Sequence, residues 1–259
     1  MLLKFKHHGW QTLTKVPKIN VYFWTLKLLS TAMGEATSDF FVHHINPFVA
    51  VITSGIILGI SIYIQLKSKR YITCVYWFAV VMVSIFGTMA ADATHIVLQV
   101  PYTASAIFYG FMLIIIFSVW YVTEKTLSIH SIHTLRREIF YWATVFFTFA
   151  LGTATGDMTA TTFGWGYLLS GIIFAILFLL PGIAVLKFKL NPILAFWISY
   201  TLTRPLGASF ADYFGVPHSF GGLGLGRAIV AMTLTFFIII LVIYLTKTKK
   251  DIQSQYIAE

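Results

Sequence analysis

The chain has 259 residues, of which 58% are hydrophobic and 10% are charged, and its mean hydropathy is +0.82. Soluble domains carry about 25% charged residues, so this composition excludes an ordinary soluble domain and predicts a membrane protein. The net charge of +9 does not indicate nucleic acid as a partner, because the Lys and Arg residues lie beside the ends of apolar segments. The single cysteine, Cys74, excludes an intramolecular disulfide and a thiolate metal cluster.

The chain begins with a basic arm over residues 1–19, which lacks the apolar core and the cleavage site of a secretory signal. We expect this arm to lie on the inner membrane surface or to be disordered. Eight apolar segments follow, each with about the 20 residues needed to cross a hydrocarbon core about 30 Å thick. They cover roughly residues 20–43, 47–66, 71–98, 102–123, 138–160, 163–186, 192–214 and 224–246. With a tail over 247–259, the expected fold is an all-α polytopic membrane protein with eight transmembrane helices.

The basic residues mark alternate connections between these segments. They lie in the arm, after the second, fourth and sixth segments, and in the tail: Lys4, Lys6, Lys15, Lys18, Lys67, Lys69, Arg70, Lys125, Arg136, Arg137, Lys187, Lys189, Lys247, Lys249 and Lys250. The intervening connections, 43–47, 98–102, 159–165 and 215–225, contain no Lys or Arg. Because basic residues stay on the cytoplasmic side, the pattern predicts an inner (plasma) membrane protein with both termini in the cytoplasm.

One spaced pattern occurs four times: Trp, nine residues, Gly, three residues, a small residue and Asp. The copies are Trp24–Gly34–Ser38–Asp39, Trp77–Gly87–Ala91–Asp92, Trp142–Gly152–Gly156–Asp157 and Trp197–Gly207–Ala211–Asp212. The four Asp are separated by 53, 65 and 55 residues, which indicates an internal repeat. Each unit would cross the membrane twice, so the four units, at about 20–70, 71–136, 137–189 and 190–246, are expected to be parallel.

Each repeated residue type has a physical role. The Trp lies near the start of its helix, where an indole favours the headgroup level. Gly and the small residue four positions later share a face on which helix backbones pack closely, so Gly34, Gly87, Gly152 and Gly207 are predicted packing residues. A carboxylate at a helix centre costs about 2.5–3.5 kcal/mol on insertion scales. Four at matched depth therefore predict a shared polar site lined by the odd-numbered helices.

The side chains near that depth predict a cation site. Glu35 lies four residues before Asp39, and His43 lies four after it, so these groups share a helix face. His95 follows Asp92 by three residues, a spacing that also suits two ligands on one face. The predicted ligands are Asp39, Asp92, Asp157, Asp212, Glu35, His95 and His43. Oxygen and nitrogen ligands without thiolate suit Mn²⁺, Mg²⁺ or Zn²⁺, with Mn²⁺ favoured by hardness.

Three basic residues compensate part of this negative charge. Arg204 lies eight residues before Asp212 and precedes Pro205, which is expected to kink its helix, and it could pair with a neighbouring acid. Lys27 lies close enough to the start of its helix to extend towards the membrane surface. Arg227 begins the last segment and could reach the same region. Three cations against five acids leave a deficit of positive charge, which a bound cation or bound protons would close.

The sequence therefore predicts a membrane transporter for a divalent cation, coupled to protons, in which protons and metal compete for the same carboxylates. A cation channel or an organic-cation transporter would use the same acids, with Trp and Tyr supplying cation–π contacts. A structural or binding protein with a closed ion-pair network is a third interpretation. An enzyme is not predicted, because catalytic sites seldom use four equal copies of one acid. The expected partners are the cation, protons, the bilayer and a further copy of the chain.

The repeated segments also resemble a known family. Met33-Gly34-Glu35-Ala36-Thr37-Ser38-Asp39-Phe40, Ala91-Asp92-Ala93-Thr94-His95-Ile96 and Gly152-Thr153-Ala154-Thr155-Gly156-Asp157 are similar to segments of bacterial multi-pass proteins. These are usually described as uncharacterised membrane-anchored proteins and are defined by a repeat of unknown function. The resemblance covers residues 20 to 246. It implies a prokaryotic inner membrane and four repeats, and it implies no activity.

Overall fold

The computed structural model describes residues 14–252, and all regular structure in that range is helical. Eight long helices follow in chain order: α1 (Val21–His44), α2 (Pro47–Lys67), α3 (Thr73–Ile96), α4 (Tyr102–Glu124), α5 (Leu135–Asp157), α6 (Gly166–Phe188), α7 (Pro192–Gly215) and α8 (Arg227–Thr248). Short helical turns cover Ile129–Ser131, Met158–Thr162 and His218–Phe220. The prediction of an all-α fold with eight long helices is confirmed.

Polar side chains determine where several helices begin. Asn20 accepts a hydrogen bond from Phe23 N at 3.0 Å, and Asn191 accepts one from Ile193 N at 2.9 Å. Amide groups in the first turn of a helix have no partner within the helix, so these caps stabilise the starts of α1 and α7. Thr134 caps α5 in the same way. The predicted start of that helix at residue 138 is late because a count of apolar residues misses its polar first turn.

The odd-numbered helices form the centre of the bundle. Each packs against the next, α1 on α3, α3 on α5, α5 on α7, and α7 back on α1. Each even-numbered helix lies outside and packs mainly against the odd-numbered helix that follows it, so α2 covers α3, α4 covers α5 and α6 covers α7. α8 completes the arrangement by packing on α1. The two helices of one sequence repeat, such as α3 and α4, therefore pack less closely on each other than α4 packs on α5.

The four glycines of the repeated pattern lie where neighbouring odd-numbered helices approach. A Cβ atom added at any of them would meet the residue that precedes the repeated Asp by eight positions on the neighbouring helix. The contacts are Gly34 with Ser84, Gly87 with Phe149, Gly152 with Arg204, and Gly207 with Thr31. The same glycine contact thus occurs between every pair of neighbouring helices in the ring, including those that involve α1. It requires glycine because a side chain at that position would overlap the neighbouring helix.

Six helices in the described range, namely α2, α3, α4, α5, α6 and α8, are long and apolar enough to cross a membrane, judged by length and composition. The remaining two, α1 and α7, are more polar. Their charged residues Lys27, Glu35 and Arg204 are all buried between the helices of the ring. The outer helices bury few of their residues and expose many large apolar side chains, as expected for surfaces that face hydrocarbon.

The end of the bundle at which the odd-numbered helices begin is closed by aromatic side chains. Trp77, Trp142 and Trp197 are each at most 5% exposed, and each packs on an aromatic ring of a neighbouring helix: Trp77 on Phe23, Trp142 on Tyr76 and Trp197 on Tyr141. These three indoles lie near the starts of their helices as predicted, but the bundle covers them, and their depth in a membrane stays a prediction. Burial of an indole among Tyr and Phe rings gives it more contact than an interface would.

The described part of the basic arm packs on this same end. Lys15 N donates to Ile132 O at 2.8 Å, and Lys18 N donates to Asp251 O at 2.8 Å. Lys15 Nζ also pairs with the buried Glu138 carboxylate at 2.6 Å. Residues 14–19 are thus held by hydrogen bonds and do not lie free on a membrane surface. Residues 1–13 of the arm and 253–259 of the tail lie outside the described range.

The glycine contacts predict a difference between two Gly→Ala changes. Gly34→Ala places a methyl group against the Ser84 side chain and backbone, so we expect a loss of about 1–3 kcal/mol in the free energy of unfolding. Gly59→Ala on α2 is the matched control, since nothing lies within 4 Å of its added Cβ. Thermal unfolding in detergent micelles measures both. Equal midpoints for the two variants would contradict the close approach of α1 and α3.

Candidate cation site

The guanidinium of Arg204 lies at the centre of the ring and is fully buried. Its Nη2 donates to the Glu35 carboxylate on α1, to the Thr88 hydroxyl on α3 and, at 2.8 Å, to the Thr153 hydroxyl on α5. Its Nη1 donates to the backbone carbonyl of Thr31 at 3.4 Å. One cation on α7 therefore holds the other three odd-numbered helices.

The three side-chain acceptors occupy the same position in the repeated pattern, four residues before the Asp. The hydroxyls of Thr88 and Thr153 each donate their own proton to a carbonyl one turn earlier on the same helix, at 2.8 and 3.1 Å. Their lone pairs are left to accept from the guanidinium. The fourth unit has Ala208 at this position, and its helix supplies Arg204 one turn earlier instead. Equivalent positions on the four helices therefore carry different side chains at this site.

Next to the guanidinium, three carboxylates converge. One oxygen each from Glu35, Asp157 and Asp212 lies within 4.8 Å of an oxygen of each of the others. Glu35 and Asp212 are buried, and Asp157 is partly exposed. The three come from α1, α5 and α7, so the ring of odd-numbered helices brings together acids that are 55 to 177 residues apart in the chain. We refer to Glu35, Asp157 and Asp212 as the carboxylate triad.

The remaining two repeated acids lie beside the triad. Asp39 accepts from Arg227 Nε at 2.8 Å, and this pair is partly exposed. Arg227 begins α8, and the packing of α8 on α1 brings Arg227 next to Asp39. Asp92 occupies the equivalent position on α3, which packs between α1 and α5 in the ring. The four repeated Asp residues therefore lie at equivalent positions on the four odd-numbered helices.

The ion pairs neutralise only part of this group. Glu35 is paired with Arg204 and Asp39 with Arg227. Within residues 14–252, the side chains of Asp92, Asp157 and Asp212 form neither an ion pair nor a hydrogen bond with another side chain or backbone group. A cluster of ionised acids in low dielectric is unfavourable without positive charge. The arrangement therefore favours the binding of cations or protons.

Lys27 lies one layer further towards the basic end and does not reach the surface. It is 1% exposed, and its Nζ lies 3.8 Å from the ring centroid of Phe149 and 4.0 Å from that of Tyr200. The expected extension of Lys27 to the membrane surface is therefore not found, because both aromatic rings cover it. Phe149 also lies 5.7 Å from the Arg204 guanidinium, so one ring is close to both basic side chains.

The two predicted histidine ligands do not point into the triad. His43 is exposed, and its Nδ1 lies 2.7 Å from the backbone oxygen of Asp39. The Nδ1 of His95 lies 2.8 Å from Val100 O, and its ring stacks on Tyr102 at a centroid distance of 3.7 Å. The sequence spacing placed both on the same helix face as an acid, but local backbone contacts orient the rings away. Within the described range, the triad is the group that offers converging ligand atoms for a metal.

The spacing of the triad suits a hard divalent cation. Two oxygens on opposite sides of an ion are separated by twice the metal–oxygen distance, which is about 4.0–4.2 Å for Mg²⁺ and about 4.6–5.2 Å for Ca²⁺. One oxygen from each of the three carboxylates lies within 4.8 Å of the others, so the three can contact a single cation together.

Sequence patterns predicted the acids and the basic residues of this region, but not their pairing. Arg204 pairs with Glu35 and not with a repeated Asp because the two residues lie at similar depth in the bundle. Glu35 lies one turn, and Arg204 two turns, before the Asp of its own helix. Phe149 and Tyr200 gave no functional signal, because apolar segments contain many aromatic residues. Their position, eight and twelve residues before a repeated Asp, matches Arg204 and Lys27 in other units and could have identified them.

The fold and the site thus define a class: an all-helical bundle of two-helix units around a buried cluster of acids and arginine. A family model described as "Repeat of Unknown Function (DUF347)" matches residues 75–126, 140–190 and 195–251, which is more than half of the chain. The chain belongs to that family. The three matched segments correspond to α3 with α4, α5 with α6, and α7 with α8. No curated protein and no solved structure matches the chain.

The central ion pair generates a stability prediction. Arg204→Met leaves the Glu35 carboxylate buried without a partner, so we expect a loss of about 3–5 kcal/mol in the free energy of unfolding. The double variant Arg204→Met, Glu35→Gln removes both charges and is expected to recover most of that loss.

Arg227→Gln is the control, because its pair with Asp39 is partly exposed and should contribute about 1 kcal/mol or less. Unfolding of the four proteins in the same detergent, followed by tryptophan fluorescence, measures the differences. No recovery in the double variant would contradict the assignment of Arg204 as the partner of Glu35.

Proposed function

We propose that the protein is an integral membrane transporter for a divalent cation of Mn²⁺ type, coupled to protons. The observation that supports this most directly is the carboxylate triad, in which Asp157 and Asp212 have no basic partner in the described chain. Structural ion-pair networks give each acid a basic partner, whereas three of the five acids in this group form no ion pair within the described residues. Six apolar helices support the membrane location.

The proposal includes a fourth repeat and the predicted topology. The fourth repeat, over residues 20–70, is supported by the contacts of Gly34 with Ser84 and of Gly207 with Thr31, which have the same form as those between the matched repeats. The exposed basic residues lie at one end of the bundle, which supports a cytoplasmic location for that end and for both termini. A bacterial inner membrane is consistent with this arrangement.

In the proposed cycle, the cation binds the ionised triad and protons replace it when it leaves. Glu35 remains beside Arg204 throughout, because separating them would leave two buried charges unpaired. Asp157 and Asp212 are then the groups that exchange metal for protons. The pH gradient drives transport because metal binding requires deprotonated ligands.

Access to the triad is expected from the end that lacks basic connections. Asp157 and the Asp39–Arg227 pair are partly exposed there. Towards the basic end, the path is covered in turn by Arg204, by Lys27 with its two rings, and by a hydrogen-bonded pair of tyrosines, Tyr76 and Tyr141. Such layers favour a carrier over an open channel, since an ion would have to displace each of them.

A structural or binding role is the second candidate. The observation that favours it is the pairing of two of the five acids with arginines, which ties α1 to α7 and to α8. In that case the three remaining acids would be protonated and would bind no metal. An organic cation as substrate has less support, because the rings near the site already contact Lys27.

Transport in proteoliposomes tests the proposal. We expect saturable uptake of Mn²⁺ driven by a pH gradient, from a panel that also contains Mg²⁺ and Zn²⁺. Asp157→Asn and Asp212→Asn remove metal ligands and are each expected to weaken uptake on the order of tenfold or more. Asp92→Asn lies outside the triad and should have a smaller effect. Glu124→Gln, which lies at the basic end with Arg137, is the control and should transport normally.

Binding of Mn²⁺ to the detergent-solubilised protein separates transport from binding. The transport proposal requires both binding and flux, with loss of both in the Asp157 and Asp212 variants. Binding without flux would indicate a metal-binding protein. If the wild type and all variants neither bind nor move any ion of the panel, the structural interpretation replaces the proposal.

A further inference from the structure

An apolar groove lies on the outer surface of the bundle, away from the carboxylates. It has a volume of about 430 Å³ and runs between α3 and α8, with α1 behind it. Cys74, Trp77 and Ile85 line it from α3, and Ile239 and Ile243 line it from α8. It exists because α3 and α8 both pack on α1 and touch each other little. Its walls include side chains that are about half exposed, such as Ile239 at 52% and Ile243 at 50%.

The two walls of the groove cover about half of the length of their helices, on the side of the basic end. They run from Cys74, in the first turn of α3, to Ile85, and from Ile243 back to Thr235 on α8, while the floor on α1 reaches further, to Thr37. At 1.5 Å per residue the longer wall measures about 16 Å, close to half of a hydrocarbon core about 30 Å thick. A helix of a second protein would contact α3 and α8 over their full length, whereas walls of this length suit one acyl chain.

Four basic residues lie at the ends of α3 and α8 that flank the groove on the side of the basic end. Lys247 lies four residues after Ile243, on the same face of α8, and Lys249 follows the helix. Lys69 and Arg70 precede α3 by a few residues. All four are exposed, and none forms a side-chain ion pair or hydrogen bond within residues 14–252. Unpaired basic groups at a membrane surface attract anionic headgroups, at about 1 kcal/mol per residue.

We infer that this groove binds an anionic phospholipid of the leaflet at the basic end. One acyl chain lies between α3 and α8, and the phosphate contacts the basic residues at the mouth. The lipid would fill the gap between α3 and α8, which both pack on α1 but touch each other little. This inference does not depend on the proposed transport, because no residue of the triad lines the groove.

The only cysteine of the chain provides the test, because Cys74 is exposed and lines the groove. The rate of alkylation of Cys74 by a maleimide is measured in delipidated protein in a neutral detergent. Phosphatidylglycerol is then added, and in parallel phosphatidylcholine with the same acyl chains. We expect phosphatidylglycerol to slow alkylation by about tenfold, as for a site that is about 90% filled, and phosphatidylcholine to slow it much less.

Two adjacent substitutions on α8 provide a matched pair. Ile239→Trp fills the groove, so added phosphatidylglycerol should no longer change the alkylation rate of that variant. Ile240→Trp places the same side chain on the neighbouring residue, which is exposed but does not line the groove, and should behave as wild type. Lys247→Gln should reduce the difference between the two lipids. Native mass spectrometry should show phosphatidylglycerol retained by wild type and by the Ile240 variant only.

Three results would overturn the inference. Equal protection of Cys74 by both lipids would show that the basic residues do not select an anionic headgroup. Protection that persists in the Ile239 variant, or none in wild type, would show that the groove is not the binding site. Protection that depends on protein concentration and not on lipid would show that a second copy of the chain covers Cys74. None of these results bears on metal uptake, so the inference can fail while the transport proposal stands.

Discussion

The burial of Arg204 is the constraint on which the rest of the structure depends. A guanidinium cannot be deprotonated in a protein and is costly to bury, so it requires hydrogen-bond acceptors within the bundle. Its acceptors come from α1, α3 and α5, which means that the ring must close before the charge is satisfied. Gly152 follows from the same requirement, because a side chain there would overlap the stem of Arg204. One polar interaction thus fixes both the distances between helices and the residue types at their contacts.

The functional site arises from unequal residues in equivalent positions. Position four before the repeated Asp is Glu, Thr, Thr and Ala in the four units, and position eight before it is Thr, Ser, Phe and Arg. A symmetric ring of four Asp residues alone would repel itself. The substitutions introduce one cation and one further acid, which concentrate the remaining negative charge on the side of Asp157 and Asp212. The differences between equivalent positions therefore determine which of the acids have an arginine partner.

Much of the fold followed from the sequence because hydrophobic runs and the repeated pattern are local signals. The eight helices and the central position of α1, α3, α5 and α7 were predictable in this way. The choice of partner for each outer helix was not, because nothing in α2 distinguishes α1 from α3 as its neighbour. For the site, the identity of the acids was predictable, since a carboxylate in an apolar segment is rare. The orientation of His43 and His95 was not, because nearby backbone carbonyls compete for their ring nitrogens.

The pairing of the first helix with the last two has a consequence for biosynthesis. Glu35 and Asp39 emerge early, whereas their partners Arg204 and Arg227 are made 169 and 188 residues later. Both contacts can therefore form only after most of the chain has been made, so α1 lacks these two partners until α7 and the start of α8 are synthesised. A chain that ended after α6 would contain neither arginine and would leave Glu35 without its buried ion pair.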